Sequence, residues 1–364
     1  MTQFKRFFKI KSWVMMICAF AALLTGCTDA MQQNLRPKPV AYGEINTILV
    51  VMDEEMWKGP VGDTLNDYYS SAFIILPQPE PIFDLWHFTP EEYMAQPVRR
   101  EGSDYLIVAN LADATSPATK LVLDAIGEEN ARRAKEDPNY NTAITREKYA
   151  EGQMIIYQFA YSQDALMANI AKNFPAIAKK FRDADKPRFE ASIYLDGENR
   201  KVADAVQEKL GISMRVPKDY LLASSRDDVL WLRKETGKLS SNIMLKKLPY
   251  TAQSQLTKEG LKAVQDSIGR KYVSSQIANT YMRINDIDLP MFVDAKTIDN
   301  KYALEARGIW EMENDYMGGP FISYLIHNPE KNELVLALGF VYAPGEDKRN
   351  WMQYLEYVLN TVKF

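Results

Sequence analysis

Leu304-Glu305-Ala306-Arg307-Gly308-Ile309-Trp310-Glu311-Met312 is the stretch on which the fold turns. Leu304, Ala306, Gly308, Trp310 and Met312 occupy alternate positions, with Glu305, Arg307 and Glu311 between them. Successive side chains of a strand point to opposite sides, so this alternation predicts a half-buried antiparallel strand with one wet face. Downstream, Asn314 to Pro320 reads as a turn into a strand from Phe321 to His327, and Asn328-Pro329-Glu330-Lys331-Asn332 as a second turn. Leu334, Leu336, Leu338, Phe340 and Tyr342 then line one face of a further strand. A closing helix from about Asp347 would pack through Trp351, Tyr354, Leu355, Val358 and Val362. The reading is an antiparallel meander laid on a terminal helix, in an α+β chain.

Upstream, the pattern predicts two sandwich-like halves, 45–186 and 187–364. Ile45 to Met52 has the β-branched content and length of a buried strand, and strands are also expected at Ile82 to Phe88, Tyr105 to Ala109 and Met154 to Tyr161. Pro60 and Gly62 are read as interrupting any helix before Asp63. Ser116-Pro117 has the form of a helix cap followed by the favoured first helical residue. Ser162 caps a longer helix through Leu166, Ile170, Phe174, Ile177 and Phe181, which Pro175 should kink. Asp183 to Pro187 reads as a polar break, and the domain boundary is placed there. Phe189 to Leu195 then reads as a strand, followed by a short helix, strands at Ile212 to Val216, Val229 to Arg233 and Asn242 to Leu248, and a helix from Thr257 to Tyr272. Both halves thus run strand, helix, strand, as a divergent duplication would.

The first 27 residues are an address. A basic cluster (Lys5, Arg6, Lys9, Lys11) precedes an apolar run from Trp13 to Leu24 that is too short for a permanent membrane span, and Leu24-Thr25-Gly26-Cys27 closes it. That ending resembles the lipobox of bacterial lipoproteins. The resemblance implies that 1–26 is a signal peptide, that Cys27 is acylated, for instance with palmitate, and that the proline-bearing segment 27–44 is a flexible tether. Thr28 in place of aspartate after the cysteine implies the periplasmic face of the outer membrane.

Removing the signal leaves 40 basic against 48 acidic side chains, which argues against a nucleic-acid partner. Cys18 and Cys27 are the only cysteines, so the folded body has no thiol for a disulfide, a zinc ribbon or a nucleophile. With His87 and His327 as the only histidines, a multi-histidine metal site is excluded and no cofactor is implied. The sequence has no phosphate-loop, dinucleotide, zinc-protease or serine-hydrolase motif.

Arg307 to Phe321, Gly339 to Pro344, Val50-Val51-Met52-Asp53, Trp57, Gly62 to Leu65 and Leu76 to Pro81 together resemble a family of uncharacterised envelope lipoproteins of Bacteroidota. The resemblance implies a compartment and supplies no catalytic residue. The order of elements from Ile212 onward is similar to the Mog1-like and photosystem-accessory (PsbP-like) sandwich, a shape often used for binding.

Candidate chemistry is sparse. Glu311, Glu313 and Asp315, before Gly318-Gly319, put three carboxylates near a turn; they suit acid–base work or a hard cation, and equally the wet side of a strand. Asp53, with Glu54, Glu55 and Trp57 after a buried strand, is the second group. Trp57, Trp310, Tyr316, Gly318 and Gly319 are the candidate binding residues, with Tyr324, Tyr342 and Trp351 as further aromatics. The expectation is a lipid-anchored binding or accessory protein holding an envelope protein or glycan, and not an enzyme. A carboxylate hydrolase of envelope polysaccharide and a structural subunit of an envelope assembly are the alternatives.

Overall fold

The structure is a computed structural model that describes residues 37–364. The signal segment, Cys27 and the first part of the tether lie outside the described residues.

The first half is built on β1 (Thr47–Val51), α1 (Glu54–Trp57), α2 (Pro60–Tyr69), β2 (Asp84–Phe88), α3 (Pro90–Ala95), β3 (Asp104–Asn110), α4 (Pro117–Glu136), β4 (Thr142–Arg146), β5 (Met154–Ala160) and α5 (Gln163–Ile193). Its sheet has the order β2-β1-β3-β5-β4, parallel except for the antiparallel edge strand β4. Helices cover both faces: α2 and α5 pack on Val50, Leu106 and Ile156, while α3 and α4 pack on Val51, Ile107 and Ile155. Burial on both sides explains why β3 and β5 are apolar along their length rather than alternating. Pro60 opens α2 instead of blocking it, because the first helical position needs no N–H. A side chain at position 62 would collide with the Trp57 carbonyl, so Gly62 lets α1 and α2 meet.

The second half contains α6 (Arg200–Leu210), β6 (Leu221–Arg226), β7 (Val229–Glu235), β8 (Ser240–Pro249), α7 (Lys258–Tyr272), β9 (Tyr281–Asn285), β10 (Phe292–Ile298), β11 (Lys301–Glu313), β12 (Gly318–Asn328), β13 (Glu333–Tyr342) and α8 (Arg349–Leu359). The sheet is antiparallel throughout, in the order β10-β11-β12-β13-β8-β7-β6, with β9 also pairing β11. The meander and closing helix are as the alternation implied. The chain is mixed α/β with two sheets.

Five further expectations are corrected. The charged face of β11 is not wet along its length: Glu305 is buried, and Arg307 bridges it to Glu356 on α8. Residues 183–187 are not a break, and 189–193 are not a strand, because α5 runs through both. Tertiary contacts override the local polar signal: Arg188 pairs with Asp104, Asp185 accepts the Asn46 N–H, and Phe189 packs against Tyr354. Ile212 to Val216 forms only an isolated bridge, Ser213 with Lys363. The halves are not two copies of one topology, since one sheet is mostly parallel and the other wholly antiparallel.

The halves meet at the amino ends of the parallel strands. Glu80 accepts the backbone N–H of Lys348 (2.7 Å) and of Arg349 (2.8 Å), one on each carboxylate oxygen, and so caps α8 from the other half. Arg349 reaches back to Asp84 at 2.7 Å, and the Asn46 amide donates to Asn350 and Gln353. No helix among the described residues is long and apolar enough to cross a membrane.

Candidate functional site

In an open parallel sheet, successive crossovers that leave in opposite directions open a crevice at the carboxyl ends of the strands. Here that switch lies between β1, whose chain leaves toward β2, and β3, whose chain leaves toward β5. A cavity of about 600 Å³ occupies the position, lined after β1 by Asp53, Glu54 and Glu55, after β2 by Thr89 and Glu91, and after β3 by Asp113, Thr115 and Ser116.

The helix end that would bind an anion there is already filled. Asp53 accepts the Ser116 hydroxyl and, at 3.2 Å, the backbone N–H of Ala118 in the first turn of α4, while Ser116 accepts the N–H of Thr119 at 3.0 Å. A protein carboxylate thus sits where a phosphate would otherwise rest. Asp53 is therefore a structural cap. The crevice is left with acceptors: Glu55 and Glu91 are exposed, and Asp113 is held below the usual carboxylate range by hydrogen bonds from the Thr115 hydroxyl and N–H. Glu54 is drawn to Lys58 at 2.6 Å, which lowers its pKa. Trp57 stacks on His87 with ring centres 4.8 Å apart, and His87 Nε2 lies 2.9 Å from the Met52 carbonyl, so that nitrogen carries the hydrogen. Among the described residues no three His, Cys, Asp or Glu side chains are grouped to hold a metal ion.

Two family models divide the chain. Residues 41–194 match a domain of unknown function (DUF8532), and residues 199–361 match a second domain of unknown function (DUF4837). The gap between the matches falls just beyond the end of α5. No curated protein matches the chain. Among solved structures, the Saccharomyces cerevisiae Ran-binding protein Mog1p is 10% identical over 42% of this chain and 88% of its own, with a TM-score of 0.28. Human StAR-related lipid transfer protein 5 is 13% identical over 44% of this chain and 94% of its own, at 0.22, and the human StarD13 lipid transfer and protein localization domain is 13% identical over 44% and 93%, at 0.20. Similarities this distant carry neither ligand nor partner across.

The crevice lies within the residues matched by the first model, and the remaining sequence candidates lie within those matched by the second. Glu311 and Glu313 share one guanidinium, Arg283, at 2.5 and 2.8 Å, and Glu311 also accepts from Asn285. Asp315 accepts its neighbour's N–H, from Tyr316, at 2.7 Å. Each is committed to a local partner, and the structure does not bring them to Asp53 or Glu55. Trp310 is buried, its indole N–H 3.2 Å from the Val341 carbonyl, so it packs the core instead of offering a surface. Gly318 and Gly319 are the first residues of β12, paired with Glu311 and Trp310; a Cβ at 319 would lie 2.0 Å from the Val341 carbonyl oxygen. Close packing, not a flexible turn, requires glycine there. Tyr324 is buried, Tyr342 and Trp351 are half-buried, and His327 lies against Tyr250. Tyr316 alone of the turn candidates is fully exposed.

Sequence reasoning found Asp53, Glu54 and Glu55 but missed Glu91, Asp113 and Thr115, which join them only through the parallel pairing, and Trp57 stands outside the lining, against His87. It also missed a buried ionic group at the opposite end of the sheet. Arg188 pairs with both Asp104 and Asp185, and Asp185 accepts the Asn46 N–H at 3.0 Å. Burial, reinforced by the second carboxylate, pushes Asp104 up to about 7, and burial raises Asp185 as well.

Proposed function

We propose that this chain is a lipid-anchored envelope protein, held by acylated Cys27 at the periplasmic face of the outer membrane, that binds a partner without transforming it. The observation that carries the binding reading is the crevice at the switch between β1 and β3. It is roomy, open to water and lined by five carboxylates, and its helix terminus is occupied by Asp53. Such a lining repels phosphates and carboxylates. Carboxylates spread along the walls suit an extended cationic partner, and a polypeptide segment bearing lysine or arginine meets that description.

The test is titration of fluorescent Lys- and Arg-containing peptides into the purified protein, read by anisotropy at two salt concentrations. Binding should weaken with salt and drop at least tenfold in Glu55→Gln/Asp113→Asn, which leaves the Asp53 cap intact. Equal affinity of that variant would remove the crevice from consideration. The anchoring half of the reading is tested separately: Cys27→Ser should release the protein from the membrane fraction, since each acyl CH₂ withdrawn from the bilayer forfeits ~0.8 kcal/mol.

A further inference from the structure

The crevice does not account for a second surface, at the point where the described chain begins. The segment 38–42 runs along the edge of the first half, Val40 bridging to Glu151 and Tyr42 to Gly102. Tyr42 donates its hydroxyl to the Val98 carbonyl at 2.9 Å. Gly102 packs on Leu49, which stands in register with Trp86 on the edge strand β2. These contacts string together four exposed apolar side chains: Val40 is 75% exposed, Trp86 55%, Tyr42 49% and Val98 49%. Exposed large side chains scattered singly need no explanation, but four that are linked through shared backbone contacts do.

Cations lie near this segment, Lys38 and Lys148 exposed and Arg99 and Arg100 half-buried. Lys38 donates to the Glu147 carbonyl, the Arg99 guanidinium lies 5.9 Å from the Phe88 ring, and Arg100 and Lys148 lie 5.1 and 5.3 Å from the Tyr149 ring. Among the described residues none of these four is in an ion pair, although Glu92, Glu101, Glu147 and Glu151 lie nearby in the chain. Tryptophan and tyrosine beside exposed lysine without an ion pair is the composition of a surface seated at lipid headgroup level.

The occupant follows from chain length. Ten residue steps separate Cys27 from Pro37, and a fully extended chain spans at most ~3.6 Å per residue, so an anchor at Cys27 keeps Pro37, where this segment begins, within about 35 Å of the bilayer. We propose that the side chains of Val40, Tyr42, Trp86 and Val98 lie on that bilayer, with the exposed Lys38 and Lys148 on lipid phosphates, so that the acidic crevice is held in a fixed attitude to the membrane. This rests on the reading of Cys27 as the lipid anchor.

The experiment uses the full mature protein, purified from envelopes and reconstituted in phosphatidylethanolamine and phosphatidylglycerol vesicles containing a headgroup-level quencher lipid. With no thiol beyond Cys27, a single fluorophore can be attached through Val98→Cys or, at an exposed turn of the other half, through Tyr316→Cys. Quenching at 98 should exceed that at 316 at least threefold, and adding Trp86→Asp and Val40→Asp should bring it down to the 316 level. Equal quenching at the two positions overturns the docking. Circular dichroism identifies a variant that has failed to fold, and the comparison of 98 with 316 decides even then. Mass spectrometry of the N-terminal peptide reads the anchor independently: an unmodified Cys27 overturns both readings, whereas an acylated Cys27 with equal quenching overturns only this one.

Discussion

The two sheets are covered by helices on both faces, yet one leaves its strand ends open and the other does not. In the parallel half β1, β2 and β3 are joined by crossovers, and the carboxyl ends of β1 and β3 send their chains apart so that a polar crevice remains between them. In the antiparallel half β11, β12 and β13 are joined by tight turns that fold back over the strand ends, and Trp310 and Gly319 are packed shut behind them. Connection type, more than composition, decides where the molecule has room for a partner.

The strongest way to break this contrast is Trp310→Ala. If the antiparallel half is a sealed core, the truncation should cost about 4 kcal/mol in urea unfolding; a cost below about 1 kcal/mol would mean that the indole is not packed as described. The ionic group of the parallel half should give the next largest effect. The folded form holds the Asp104 proton more tightly than the unfolded chain does, because burial raises it to about 7. Its stabilising contribution is therefore complete below the ordinary carboxylate range and is lost as pH rises toward 7 and beyond. Stability should fall by on the order of 3 kcal/mol between pH 4 and pH 8, read as melting temperature, and Asp104→Asn should abolish most of that fall.

A third measurement sharpens the boundary between the halves. Glu80→Ala removes both acceptors from the first turn of α8 and should cost about 2 kcal/mol, with the two halves unfolding in separate transitions. A single unshifted transition would show that the cap does not couple them. The smallest effect belongs to Arg283→Ala, which frees Glu311 and Glu313 at the partly exposed end of β11. Stability should change by less than about 1 kcal/mol, as expected of surface ion pairs.

What was legible in the sequence followed periodicity. Alternation at Leu304 to Met312 and at Leu334 to Tyr342 located β11 and β13, and the Ser116-Pro117 and Ser162 caps located the starts of α4 and α5. Where the local signal was polar or proline-rich the reading failed: Asp183 to Pro187 looked like a linker because Asp185 and Arg188 are charged, yet they pair with one another and with Asp104 inside the fold. The carboxylates were visible as residue types without their partners. Nothing near Glu311 in sequence announces Arg283, and nothing near Asp53 announces Ala118.

The sequence by itself determined the mixed α/β class, the absence of thiol chemistry beyond Cys27 and the antiparallel meander, because composition and short-range periodicity are properties of neighbouring residues. Only the tertiary structure decided that the first sheet is parallel, that Asp53 caps a helix 65 residues away and that Glu80 caps one in the other half. Those outcomes depend on which strands and helix ends become neighbours in space, and chain crossovers set that at separations no local pattern records.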